Sequence, residues 1–176
     1  MTIDRRGAWV LLLLASFACN RRQKVEVQPT IEEAAPALAS SVHTRDPKSA
    51  GQLVSGFHQI EANAWRWTAK SFAVALYPPA GSGQKGATLQ LKFTIPPVVT
   101  EKLGKVTLSA SVAGSQLAPE SYSRPGQYTY ERDIPPGVLS GNSVRVDFQL
   151  DKALPPGETD LRELGVVVVS AGLESK

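Results

Sequence analysis

With 176 residues, 42% of them hydrophobic and 20% charged, and a formal net charge of +3, the chain has room for one ordinary domain plus a flanking segment. Its single cysteine allows no intrachain disulfide, so the folded part must rely on its core. The basic residues are scattered and form no stripe interleaved with aromatics, so no nucleic-acid partner is expected.

Residues 1–18, MTIDRRGAWVLLLLASFA, read as a signal peptide: Arg5 and Arg6 precede an apolar run from Gly7 to Ala18. At about 1.5 Å per residue such a run falls well short of a hydrocarbon core of about 30 Å. Cys19 closes the run in ASFAC, and this stretch resembles the lipobox of bacterial lipoproteins, whose cysteine is diacylated and becomes the mature N-terminus. Ser16 and Phe17 stand where that family carries leucine and a small residue. Two acyl chains, at about 0.8 kcal/mol per buried CH₂, make a stable membrane anchor. Arg21, Arg22 and Lys24 beside it suit anionic head groups. The resemblance implies a bacterial cell-envelope location, membrane-anchored and facing the periplasm or the exterior.

Residues 19–52 are rich in Ala, Pro, Ser and charge and lack a sustained hydrophobic period, which predicts a flexible tether behind the lipidated N-terminus. From Leu53 to Lys176 the pattern turns to period two. LQLKFTI puts Leu89, Leu91, Phe93 and Ile95 on one face and Gln90, Lys92 and Thr94 on the other; VTLSASV and VRVDFQL repeat the alternation. SFAVALY, QYTYERDI and LGVVVVSAG are further strand candidates, the last with four successive valines that suit burial on both faces. Pro-Pro pairs at 78–79, 96–97, 135–136 and 155–156 follow strands or their extensions and end pairing, because proline cannot donate to a ladder. About eight strands with strand-to-strand crossovers and no long amphipathic helix predict an all-β domain over 53–176. The expected architecture is a two-sheet antiparallel β-sandwich of jelly-roll type.

Several motifs invite sharper readings. GSGQKG, residues 81–86, fits GxGxxG, but a strand pattern follows where a dinucleotide site needs a helix, so a mobile hairpin loop is expected and no cofactor. His43 in the tether and His58 near the first strand have no partners with metal-ligand spacing; no EF-hand-like calcium loop is present, but loop carboxylates and carbonyls of such a sandwich leave calcium open. Glu61, Asp147, Asp160 and Glu163 are the carboxylates from which a glycosidase pair would have to come; no GxSxG elbow is present, and the domain is expected to be non-catalytic. SRPGQY suits a type II β-turn with Pro125 and Gly126 at its centre, and Tyr128 and Tyr130 beyond it suit either packing or the lining of a ligand groove. The charges of GETDLRELG suit either a solvated loop or, more sharply, an Arg162 that enters the sandwich edge and pairs with a carboxylate such as Glu61.

NAWRWTAKSF places Trp65 and Trp67 on one face of a strand with Arg66 on the other. That spacing fits a sugar-stacking platform and an inner sandwich layer equally. The two separated pieces EANAWRWTAKSFAVAL and DKALPPGETDLRELGVVV, with Glu61, Trp65, Arg66, Trp67, Asp160 and Arg162, together resemble a small galactose-binding-like jelly roll. That domain is similar to carbohydrate-binding modules and is often appended to bacterial glycosyltransferases and other envelope proteins. The resemblance implies that the two pieces lie close in space, and it implies an accessory role near polysaccharide. With the DLRELG segment as a partner, the tryptophan stretch is expected to be mainly fold-defining, with Trp65 the indole that reaches a ligand. The functional expectation is a membrane-anchored lipoprotein whose domain binds or helps assemble envelope glycans; the alternative is a protein–protein scaffold in the envelope.

Overall fold

The structure is a computed structural model and describes residues 38–176. The expected signal peptide, Cys19 and the first part of the tether lie outside the described residues. The domain is all-β, with nine strands in chain order: β1 (Ser41–His43), β2 (Leu53–Glu61), β3 (Trp65–Leu76), β4 (Ala87–Ile95), β5 (Val106–Val112), β6 (Ser115–Tyr122), β7 (Gly126–Ile134), β8 (Val144–Leu150) and β9 (Val167–Ser175). Every pairing is antiparallel, and the strands follow the order β6-β5-β8-β3-β9-β4-β7, with β1 added to β9 and β2 to β3.

One strand joins the two layers. β3 pairs with β9 through Arg66 and Trp67 and then, after Thr68, with β8 through Ser71–Leu76. Its first residues therefore belong to a sheet with β1, β9, β4 and β7, and its later ones to a sheet with β2, β8, β5 and β6. The apolar halves of the alternating strands meet between these sheets. Leu89, Leu91 and Phe93 of β4 share one core with Leu108 of β5, Val146 and Phe148 of β8, and Phe72 of β3. The Phe72 and Phe148 rings stack with centroids 5.0 Å apart. Burying each such side chain stabilises the fold by about 1.5–3 kcal/mol.

The expected two-sheet sandwich is the observed one, and four local expectations are corrected. First, ordered structure begins before Leu53. Ser41–His43 pairs with Ser170–Gly172, and a 3-10 turn follows at Pro47–Gln52. Gln52 is 6% exposed, and its amide bonds Ala39 N and O and Ala75 O at 2.7–3.0 Å. A three-residue strand with one buried valine shows no periodicity, so only its remote partner reveals it. Second, the GSGQKG stretch is not a hairpin loop. Ser82–Lys85 forms one helical turn (α1), entered through Pro79 and bounded by Gly81 and Gly86, both at φ 80°, and it carries the chain from β3 to β4, which do not pair. A second short helix, α2 (Pro97–Leu103), makes the return crossing after Pro96. Third, SRPGQY makes no type II turn: Gly126 has φ 153° and already pairs with Ile95 as the first residue of β7.

The four valines also differ from expectation. A bulge in β9 opposite Lys92 and Phe93 adds one residue and reverses the alternation. Val166 and Val168 point into the core at 0% exposure, Val167 is 9% exposed, and Val169 is turned outward at 40%.

Candidate functional site

The tryptophan hairpin is set by one tight turn. The connection is residues 62–64, with Ala62 and Asn63 at φ 49° and 51° and Ala64 N donating to Glu61 O at 3.0 Å. Both residues adopt the left-handed conformation that matches the twist of paired strands. The register that follows, Glu61 opposite Trp65 and Ile60 opposite Arg66, sends both indoles to the outward side of the first sheet. Trp65 is 38% exposed, while Trp67 is half-buried and packs against the core. Arg66 points the other way and donates to Thr44 O and His58 O at 2.8 and 3.0 Å, tying β1 and β2 to β3.

The DLRELG segment is fastened to this hairpin. Arg162 makes a two-toothed contact with Asp160 at 2.9 and 2.7 Å and reaches Glu61 at 2.7 Å. The Glu163 carboxylate accepts from Lys70 N at 2.7 Å, His58 Nε2 bonds Glu163 O at 2.7 Å, and Gly165 N donates to Thr68 O at 2.6 Å. Gly165 is required by close approach: a Cβ there would stand 2.6 Å from Leu150 Cδ1 and 2.8 Å from Ala69 O. The expected Arg162–Glu61 pair is thus present, and the two pieces that carry the resemblance lie side by side.

Hydrogen bonds from the Arg162 side chain and backbone hold the Asp160 carboxyl down at about 2, and the same bonds raise the guanidinium. Of the four carboxylates that a glycosidase pair would draw on, Glu61 and Asp160 share this one guanidinium. Glu163 is bonded to backbone, and Asp147 lies on the other sheet in a 2.7 Å pair with Arg145. A carboxylate ionised down to about pH 2 is a poor general acid at neutral pH. Among the described residues no three His, Cys, Asp or Glu side chains converge as metal ligands.

Tyr130 belongs to packing, whereas Tyr128 is half-buried and also lines an open compartment with Lys92 and Thr129. Tyr130 is fully buried; its hydroxyl donates to Ala118 O at 2.8 Å, its ring lies 4.3 Å beneath the Arg132 guanidinium, and burial pushes its pKa up. Tyr128 packs against Tyr122 at 4.6 Å and Phe93 at 6.0 Å and donates to Arg124 O. Together with the Arg132–Glu120 pair at 2.8 Å, these groups close the edge where β6 meets β7.

What remains open is the outward face of the first sheet. Trp65, Trp67, Val167, Val169, Thr94 and Pro96 line a groove of about 580 Å³ with Glu61 on its rim. Thr94, Gln127 and Val169 also line the adjoining compartment of about 360 Å³, which contains Lys92 and Thr129. Lys92 in turn leads to a third of about 130 Å³ beside His43, Gln90 and Glu174. The face is therefore one trough, aromatic at one end and polar along the rest. Sequence reasoning found the tryptophans but missed Thr94, Gln127, Val167 and Val169. The wet half of LQLKFTI did mark Thr94 and Lys92 as outward, yet nothing local said that they face the same trough.

No family model and no curated protein matches the chain. Among solved structures the chain is similar to an acetyl xylan esterase from the rumen bacterium Butyrivibrio proteoclasticus, at 8% identity and TM-score 0.46 over 79% of this chain; it spans only 33% of that one. It is also similar to a carbohydrate-binding module domain, CBM36-1, of a multidomain xylanase from the hindgut metagenome of Trinervitermes trinervoides, at 8% identity and TM-score 0.41, covering 77% of this chain and 96% of that one. A family 35 carbohydrate-binding module from an environmental isolate aligns at 18% identity and TM-score 0.37, over 82% and 90%. These likenesses are loose, and the sandwich stands on this chain's own strand pairing.

Proposed function

We propose that the domain is a non-catalytic glycan-binding module, held at a bacterial membrane by a lipid on Cys19 and working on polysaccharide of the cell envelope. The observation that carries the reading is the placement of Trp65 and Trp67. Two neighbouring indoles on one strand face, one of them 38% exposed, border an open groove of about 580 Å³. Pyranose rings present a C–H face that stacks on indole, while their hydroxyls need donors and acceptors beside it; Thr94 and Gln127 supply both. A trough open along the sheet suits a segment within a chain better than a buried small molecule. The test is calorimetric titration of the full-length chain with soluble envelope and plant polysaccharides, against Trp65→Ala. Saturable binding that weakens in the variant supports the reading; no heat from any polysaccharide removes it. The anchor is tested separately by metabolic labelling with a palmitate analogue, which Cys19→Ala should abolish.

A protein scaffold is the second reading, and Leu161 favours it: this side chain is 83% exposed at the outer turn of the DLRELG segment. Crosslinking in cells that recovers one reproducible protein partner, lost on Leu161→Ser, would move the assignment to docking.

A further inference from the structure

We propose that the glycan is acidic, with a carboxylate-bearing sugar seated at Lys92, across β9 from the sugar stacked on Trp65 and Trp67; this rests on the glycan reading above. Charge is settled by pairing at the aromatic end, while the far end keeps the charge of Glu131 and Glu174, whose partner is the neutral Gln90 amide. At the aromatic end Glu61 is held by Arg162 at 2.7 Å. At the other end Glu131 and Glu174 accept from Gln90 Nε2 at 3.1 and 3.2 Å, and Asp133 pairs with Lys176 at 2.9 Å. Lys92 is exposed between them, lines two of the three compartments, and among the described residues its ammonium makes no ion pair or hydrogen bond. His43 is the other basic group on the trough and lines the far compartment.

The spacing ties this cation to the platform. The indoles on β3 and Lys92 on β4 stand on either side of β9, two strand spacings or about 10 Å apart across the sheet, and Thr94, Gln127 and Val169 line the compartments of both. Across the ladders Lys92 sits between Thr129, which is exposed, and Ser170, which is 7% exposed. An ammonium with three donors beside the Thr129 hydroxyl matches a carboxylate with an adjacent ring hydroxyl. Glu131 and Glu174 oppose a second carboxylate further along, which selects a chain alternating acidic and neutral sugars over a uniformly charged one.

The experiment is an oligosaccharide array in which every uronate-containing member is paired with its carboxyl-reduced form, probed with the full-length chain, Lys92→Gln and Trp65→Ala. Lys92 is exposed, so its replacement leaves folding intact. Expected is a preference of about tenfold for uronate members over their reduced forms. The preference should shrink in salt and collapse in Lys92→Gln with binding to reduced members retained, while Trp65→Ala weakens both. Equal binding of acidic and reduced members, or a preference that survives Lys92→Gln, overturns the acidic class and leaves the glycan reading standing. Binding to no member overturns both.

Discussion

The two outward faces of the sandwich arise from the same alternation of strands and differ in how far their polar groups are already spoken for. On the sheet of β2, β3, β8, β5 and β6, a shallow cavity of about 370 Å³ is lined by Ser55, Ser71, Ser109, Ser111, Gln149 and the Arg145–Asp147 pair. Ser71 bonds Gln149 Oε1, Ser109 donates to Gln149 O at 3.1 Å, and Gln149 Nε2 donates to Leu150 O at 3.0 Å. Ser71, Ser109 and Gln149 satisfy one another, as do Arg145 and Asp147, and a ligand would have to break these bonds to make its own. On the opposite sheet the bulge in β9 turns Val169 outward, the hairpin at Ala62–Asn63 adds two indoles, and Lys92 is left without a partner among the described residues. A sheet face becomes a binding face when irregularities bring apolar surface to it and leave polar groups open.

The comparison is broken most directly at the glycine that docks the tryptophan hairpin. Gly165→Ala forces a methyl against Leu150 and the Ala69 carbonyl and should cost about 1–3 kcal/mol, read as a lower denaturant midpoint with an unchanged slope. If stability is unchanged, the close packing of DLRELG on β3 is wrong. Next in size, Trp65→Ala should weaken glycan binding by about tenfold or more while lowering stability by under about 1 kcal/mol, because the side chain is 38% exposed. On the other face, a double Ser109→Ala and Ser111→Ala variant should bind as the wild type does within about twofold; a larger loss would make that face a second site.

Arg162→Met should lower stability by about 1 kcal/mol, since both of its ion pairs are partly solvated. The same pair sets a pH signature. Asp160 titrates below its ordinary 3.8, at about 2, when folded, so its stabilising contribution is complete above about pH 4 and is lost as the pH falls toward 2. Acid titration followed by NMR should show the wild-type Asp160 resonance moving at about pH 2 and returning toward the ordinary carboxylate range in Arg162→Met. The smallest effect belongs to the hairpin turn: Ala62→Asn relieves a left-handed alanine at φ 49° and should raise stability by about 0.5 kcal/mol, with binding unaltered.

How much of this was legible in the sequence differs by element. β4, β5 and β8 could be read because alternation of apolar and polar residues is a local property with a physical period, and the structure places Leu89, Leu108 and Val146 as that period requires. The Arg162–Glu61 pair was legible from the cost of an unpaired guanidinium near a buried strand. β1 was not, because Ser41–His43 is held by Ser170–Gly172 far along the chain and carries no pattern of its own. The helical turn at Ser82–Lys85 escaped for a related reason: two glycines at φ 80° fix it, and glycine is equally compatible with an open loop.

By itself the sequence determined that the domain is an all-β sandwich and that Trp65 and Trp67 share a face, because these follow from period; that DLRELG and WRWT belong together is what a family resemblance implied. Only the tertiary structure decided that the shared face looks outward and that Val167, Val169, Thr94 and Lys92 complete a trough beside it. A strand's alternation says which residues go together; which side meets solvent depends on the bulge, the crossing of β3 between sheets and the partners those bring.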